Sequence, residues 1–326
     1  MTINEIRIKR GLEPIKDDFA DMKFIGKWNS EAVNYTSTVT ETPNFKSQNL
    51  SFNINDWIQQ GKKQQELANK ANGYLEKELN IEVKTDRNQI AVMLLADVHF
   101  GSYGANYNEI ERLTNVILNT DGLYVVLGGD ICEMAIKMRG MKEVSGNMFT
   151  PEQQMDFLDQ WLSQIQHKVL FAIWGNHEAE RLENAGSSEY GRIIRKYTNY
   201  VDGIAHVNLK VGSEVYKIAA SHRFRGGVSN QNPTASTIRY LEGAGKGMEI
   251  GLQGDTHLSG VSSYTTSGGE QRLALNCGTL HTDSHFSKRY FSILTDQKMP
   301  VFTLHKNKHS FHGFNSVDDW KDAISF

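Results

Sequence analysis

From residue 90 onward, short apolar runs alternate with helical stretches, and each run breaks off at a polar, often glycine-containing turn. Residues 90–96 (IAVMLLA), 123–127 (LYVVL), 169–174 (VLFAIW), 216–220 (YKIAA) and 248–252 (MEIGL) are compact, largely apolar segments of strand length. Such runs predict buried strands of an α/β domain. Residues 260–265, 271–276, 290–294 and 301–305 alternate apolar with polar positions and are expected as antiparallel strands that complete a second sheet. Upstream, residues 55–79 combine good helix formers with apolar positions at Trp57, Ile58, Leu67, Ala71, Tyr74, Leu75 and Leu79. They predict an amphipathic helix interrupted at Gly61. Residues 1–53 are polar and aperiodic with scattered aromatics, the pattern of an arm that packs on the body or on a protein partner. The expected organisation is an N-terminal arm and helix over 1–88, an α/β body over 89–310 and a C-terminal tail over 311–326.

Bulk properties narrow this picture without pointing to a chemistry. The 326 residues are 39% hydrophobic and 22% charged, the balance of an ordinary globular protein, which excludes disorder throughout. A net charge of −3 gives no global field to attract a polyanion. Cys132 and Cys277 are far apart and in no CxxC arrangement, so neither a disulfide framework nor a thiolate zinc site is expected. No apolar run reaches the length of a membrane span and none at the start resembles a leader core, so the expected location is cytoplasmic, with no membrane partner.

Chemistry enters at the ends of the predicted strands. The five turns read Asp97-Val98-His99, Gly129-Asp130, Gly175-Asn176-His177-Glu178, Ser221-His222 and Gly254-Asp255-Thr256-His257. A lone Asp-x-His, or a Gly-Asp after a strand, is usually just a turn in which Asx caps backbone donors. Together the turns place a carboxylate, amide or imidazole at every strand terminus, and four of the five contain histidine, which turn geometry does not demand. Ligands of open α/β sheets bind at the carboxyl ends of the strands, so these groups should converge. Asp97, His99, Asp130, Asn176, His222, Asp255 and His257 are seven donors, more than one ion needs and enough for two divalent ions roughly 3.5–4 Å apart.

The order DxH, GDxx(D/E), GNH(E/D), a lone His, then GHxH resembles the signature of calcineurin-like metallophosphoesterases over residues 90–295. The resemblance implies a sandwich of two β-sheets flanked by helices and a hydrolase acting on phosphoesters through two metal ions. It implies Asp97, His99 and His257 on the first ion, Asn176, His222 and Asp255 on the second, Asp130 bridging, and hydroxide on the bridged ions as nucleophile. His177 would be the general acid, with Glu133 in the position that orients it. The turn Asn276-Cys277-Gly278-Thr279 matches the family's segment after the last histidine motif.

Two departures are visible. Met134 stands where Ser/Thr protein phosphatases have an arginine, and Asp255 replaces the first histidine of GHxH. A carboxylate there favours Mn²⁺ or Mg²⁺ over Zn²⁺. Manganese is the expected cofactor, with magnesium, iron and zinc as the other candidates.

Substrate contacts are expected from Arg223 and Arg225, which follow His222, and less so from Arg181. Asp97-Val98-His99-Phe100-Gly101 resembles the opening of SbcD-type nucleases, and Arg139, Lys142, Arg192, Arg195 and Lys196 are candidates for a phosphate-backbone channel. The expected substrate is therefore a nucleic-acid phosphodiester such as DNA. Two alternatives stay open: a nucleotide or small-molecule phosphatase, and a catalytically weakened binding or assembly module. Residues 136–151 are expected as a loop near the Asp130 turn, shaping the pocket or closing over it. His281 and His285 read as a solvated loop in preference to a substrate contact, and His305, His309 and His312 as surface residues.

Overall fold

The computed structural model describes residues 54–72, 78–134, 147–183, 186–226, 231–281 and 297–324, together with four positions before residue 14. The predicted strand at 290–294, most of the loop at 136–151, Arg139, Lys142, His285 and nearly all of the N-terminal arm lie outside them. One compact unit spans Ile58–Phe326, and a separate one Met1–Trp57.

Two six-stranded sheets build the body. In the first, β2 (Gln89–Leu95), β3 (Leu123–Leu127), β4 (Val169–Ile173) and β5 (Asn199–Val201) run parallel, and β11 (Val301–His305) and β12 (Phe311–Phe314) extend it antiparallel from the β2 edge. The second has the order β1 (Glu78–Val83), β6 (Ala205–Val211), β7 (Glu214–Ser221), β8 (Ile250–Gln253), β10 (Gln271–Asn276) and β9 (Gly260–Thr265). Its strands β7, β8 and β10 run parallel. β2, β3 and β4 are buried almost throughout, as continuous Val/Leu/Ile runs covered on both faces must be. One hydrophobic core joins residues of both sheets, including Met93 and Leu94 of β2 with Val207 of β6 and Ile218 of β7.

The two-sheet sandwich is thus as expected, with a different distribution of strands. Residues 216–220 and 248–252 belong to the second sheet, and 301–305 joins the first beside β2. The helix α1 (Ile54–Asn72) passes through Gly61 without interruption, the neighbouring Lys and Gln residues offsetting a glycine cost of about 1 kcal/mol. It does not reach Leu79. Glu78–Val83 is a strand whose alternate residues Leu79, Ile81 and Val83 are the better buried, pairing in parallel with β6. Flanking helices are α2 (Tyr107–Asn119), α3 (Pro151–Ile165), α4 (Glu189–Tyr197), α5 (Ala235–Glu242) and α6 (Val317–Ile324). α3 opens on a reciprocal Thr150–Gln153 capping box with Pro151 in its first turn, which fixes where the helix starts. No helix among the described residues is long and apolar enough to cross a membrane.

Candidate active site

The turns after β2, β3, β4, β7 and β8 meet at one end of the sandwich, and backbone hydrogen bonds hold them together. Asp97 N–H donates to Gly129 O (3.1 Å), His99 N–H to Asp130 O (3.0 Å) and Phe100 N–H to Ile131 O (2.8 Å), so the β2 and β3 turns continue pairing beyond their strands. Asp255 N–H donates to the Asp97 carboxylate at 2.9 Å, linking the two sheets. Gly175 is the closest approach: a β-carbon there would lie 2.1 Å from Asp130 N and 2.3 Å from its Oδ1.

Among the described residues, Asp97, His99, Asp130, Met134, Asp255 and His257 have positive φ, between 45° and 66°, without being glycine. Left-handed backbone at Asp or His costs less than at most residues, yet it persists only where surrounding structure enforces it. Five of these six are candidate ligands.

Side chains converge accordingly. The Nε2 atoms of His99 and His257 are 3.2 Å apart, and Asp97 Oδ1 lies 3.3 Å from the latter and 3.9 Å from the former. On the other side, His222 Nε2 is 3.0 Å from Asn176 Oδ1, 3.3 Å from Asp130 Oδ2 and 4.0 Å from Asp255 Oδ1. Three groups, Asp97–His99–His257, His99–Asp130–His177 and Asp97–Asp130–His222, present donor atoms that all lie within 4.8 Å of one another. His222 Nδ1 is 2.7 Å from Gly128 O, and His99 Nδ1 is 3.0 Å from Glu133 Oε2. Each oxygen takes the Nδ1 proton and leaves Nε2 turned inward, the outer support expected of a metal-ligating imidazole.

Glu133 does more than the sequence implied. Its carboxylate is nearer to His99 (3.0 Å) than to His177 (3.5 Å), and the closest partner of His177 Nδ1 is the Glu133 main-chain oxygen at 2.8 Å. Arg181, on the π-helical turn His177–Glu183, reaches both that oxygen (3.0 Å) and Glu133 Oε1 (3.2 Å), so it serves Glu133 as a partner. Burial works against protonation of His177, but Asp130 and Glu133 outweigh it and raise the imidazole to about 9. Burial likewise opposes the charge on His222, which Asp130 raises well above its ordinary value.

Two buried residues here had no role assigned from sequence. Glu178 is fully buried and accepts from Cys132 N–H (2.8 Å) and Asp130 N–H (3.1 Å), while burial and Asp130 push its carboxyl up to about 8. His281, expected in a solvated loop, is instead 8% exposed, with its ring centroid 5.3 Å from that of His99 and Nε2 2.7 Å from Ser102 Oγ. Burial, and then the neighbouring His99, lower it to about 4. The discoverable signal was Thr279: its hydroxyl donates to Asp97 O and accepts from His281 N–H, so the turn that matched the family carries His281 into the site.

The proposed substrate contacts fare unevenly. Arg223 Nε approaches Asp255 Oδ2 to 2.6 Å, and Arg225 is exposed. The three described members of the basic channel are tied down elsewhere: Arg192 pairs with Glu189, Arg195 lies over Tyr200 and Lys196 pairs with Asp159. His309 is exposed, as expected of a surface residue, and also stacks on Tyr216 and pairs with Glu249 at 2.6 Å.

Residues 90–273 match the family model of the calcineurin-like phosphoesterases. The match covers more than half of the chain, which therefore belongs to that family and is a metal-dependent phosphoester hydrolase. A search of the curated proteins finds no match. Among solved structures, a calcineurin-like phosphoesterase, YfkN, from Bacillus subtilis is similar at 10% identity, covering 71% of this chain and 91% of that one with a TM-score of 0.39. A phosphatase from Mycoplasma pneumoniae is similar at 13% identity, covering 72% and 97%, TM-score 0.39. Vps29 from Entamoeba histolytica, solved with Zn²⁺, is similar at 12% identity, covering 69% and 97%, TM-score 0.33.

Proposed function

We propose that the site hydrolyses phosphodiesters of nucleic acid, with two divalent ions: one on Asp97, His99 and His257, one on Asn176, His222 and Asp255, and Asp130 between them. The donor set fits such ions. Asp97 Oδ1 is buried with no hydrogen-bond partner, facing two imidazole nitrogens across 3.3 and 3.9 Å. Carboxylates clustered around His222 and His257 raise both imidazoles against burial, so the surroundings favour positive charge there. When bound, the ions supply Lewis acidity and a water acidified toward neutrality. The oxygen of Asp255 turned to that site suits Mn²⁺ or Mg²⁺ better than Zn²⁺.

The observation that carries the reading is the setting of His177. Its Nδ1 is held by the Glu133 carbonyl, and its Nε2 lies 3.7 Å from Asp130 Oδ2, so the Nε2 proton faces the ligand cluster. With Nδ1 anchored on Glu133 and Nε2 turned to the cluster, His177 is placed to deliver a proton to a leaving alkoxide, the step an unactivated diester needs most. Glu133 holds His99 and His177 on one anchor, and Arg181 holds Glu133. A polymer or nucleotide in preference to a plain alkyl diester is supported by Tyr103: four residues beyond His99 and 79% exposed, it offers a face on which a base can stack.

The test is turnover by chelated protein reconstituted with Mn²⁺ on single-stranded DNA, a chromogenic diester and nucleoside monophosphates. Cleavage of both diesters, falling about 10²- to 10⁴-fold in His177→Ala, is expected. Hydrolysis of monoesters alone would make the protein a nucleotide or small-molecule phosphatase. No turnover with metal bound would leave a binding module.

A further inference from the structure

Arg223 was a candidate for substrate because it follows His222, but its geometry gives it a different task. Its neighbours His222 and Phe224 are 0% and 1% exposed, the latter stacked on Tyr240 with centroids 4.2 Å apart, and its own carbonyl accepts from Ser221 Oγ at 3.1 Å. The backbone is therefore fixed on both sides, and the Arg223 side chain, two-thirds exposed, is the part that emerges. Its Nε stands 2.6 Å from Asp255 Oδ2 as an ion pair without hydrogen-bond geometry, while Asp255 Oδ1 is the oxygen directed at His222 Nε2, 4.0 Å away. The Asp255 backbone is held independently by its N–H on Asp97 Oδ2 at 2.9 Å. One carboxylate oxygen thus faces the ligand cluster and the other faces a cation.

We infer that Arg223 is a positioning residue for Asp255, presenting it to the second ion through one oxygen and offsetting the charge this chain adds where its family has a neutral imidazole. A carboxylate alone brings a third negative group beside Asp97 and Asp130 and a second oxygen free to rotate inward. The guanidinium offsets the charge and draws Oδ2 away from the cluster by ion pairing, so that Arg223 and Asp255 together replace one histidine. Groups that orient a metal ligand typically govern affinity by about 10- to 100-fold, which is the effect assigned to Arg223.

This inference rests on the two-ion reading above, and its test separates the two. Mn²⁺ binding to chelated protein is measured by calorimetry, with inductively coupled plasma analysis of the loaded protein, for the natural chain, Arg223→Gln, Arg223→Lys, Asp255→His and the Arg223→Gln/Asp255→His double variant. Arg223→Gln is expected to weaken the second Mn²⁺ event at least 10-fold beside Asp255 and less than about 2-fold beside the introduced histidine. Arg223→Lys should fall between, because an ammonium restores charge without the fixed Nε. Equal loss in both backgrounds, or unchanged Mn²⁺ affinity with a raised KM, would overturn the inference and return Arg223 to the substrate. A natural chain that takes up a single ion would overturn the two-ion reading and this inference with it. Since Arg223 is largely exposed, loss of fold does not confuse the outcome.

Discussion

Left-handed backbone at Asp97, His99, Asp130, Asp255 and His257 means that five candidate ligands sit in conformations costing of order 1–3 kcal/mol each, sustained by the hydrogen bonds around them. Glu178 is central to that support, because both of its oxygens accept main-chain N–H groups of the Asp130 turn. Glu178→Ala would orphan two buried donors, at about 1–3 kcal/mol each, and is expected to lower unfolding free energy in urea by about 2–6 kcal/mol while weakening metal uptake. A milder lesion at the same place tests crowding. Gly175→Ala puts a methyl 2.1 Å from Asp130 N, and the backbone must move. Overpacking of this kind costs about 1–3 kcal/mol, and Mn²⁺ stoichiometry is expected to drop further than stability does, because the displaced atoms belong to the proposed bridging ligand. Equal metal uptake by the Gly175→Ala protein would show that Asp130 tolerates displacement.

At the level of elements, runs that carry one kind of signal were readable. Residues 123–127, 260–265, 271–276 and 301–305 are strands with the bounds that their sequence predicts. What escaped were segments where two signals compete. Leu79, Ile81 and Val83 alternate as a strand does, but the helical composition before them extended the expected helix through Leu79, and only pairing with β6 resolves the matter. β5 has three residues and β12 four, too short to show a period. The convergence of the candidate ligands was legible because each is a polar residue shortly after an apolar run. Glu178, Arg181 and His281 were not, since what gives them roles is contact with Asp130, Glu133 and His99 across 40 or more residues. The β1 strand yields a direct comparison: a chain starting at residue 75 retains six residue pairs with β6 that a chain starting at residue 85 lacks. The shorter one is expected to melt lower and to aggregate more, β6 having become an exposed edge. Coincident melting curves by circular dichroism would mean that β1 adds nothing to the sheet.

Across the whole molecule, the candidate ligands divide between the two sheets. Asp97, His99, Asp130 and Asn176 follow strands of the first, whereas His222, Asp255 and His257 follow strands of the second. The same end of the sandwich concentrates the carboxylates of Asp97, Asp130 and Asp255 beside the imidazoles of His222 and His257, a donor set drawn from both sheets. Divalent ions at this junction would therefore act as cross-links between sheets as well as cofactors, stabilising only the folded state. With free metal at 100 times its dissociation constant, linkage gives about 2.7 kcal/mol for each ion. For a body of this size each kcal/mol is worth about 2–4 °C, so adding saturating Mn²⁺ to chelated protein should raise the melting temperature by about 5–10 °C per ion. Asp130→Ala removes the group proposed to touch both ions and should abolish most of the increment, and it should also lower the melting point of the chelated protein, because Asp130 offsets His177 and His222 and accepts from His177 N–H. Calorimetric scans with and without Mn²⁺ on the two proteins decide the matter. An increment that survives in Asp130→Ala would place the stabilising ions elsewhere than between the sheets, and would separate the stability of this fold from its chemistry.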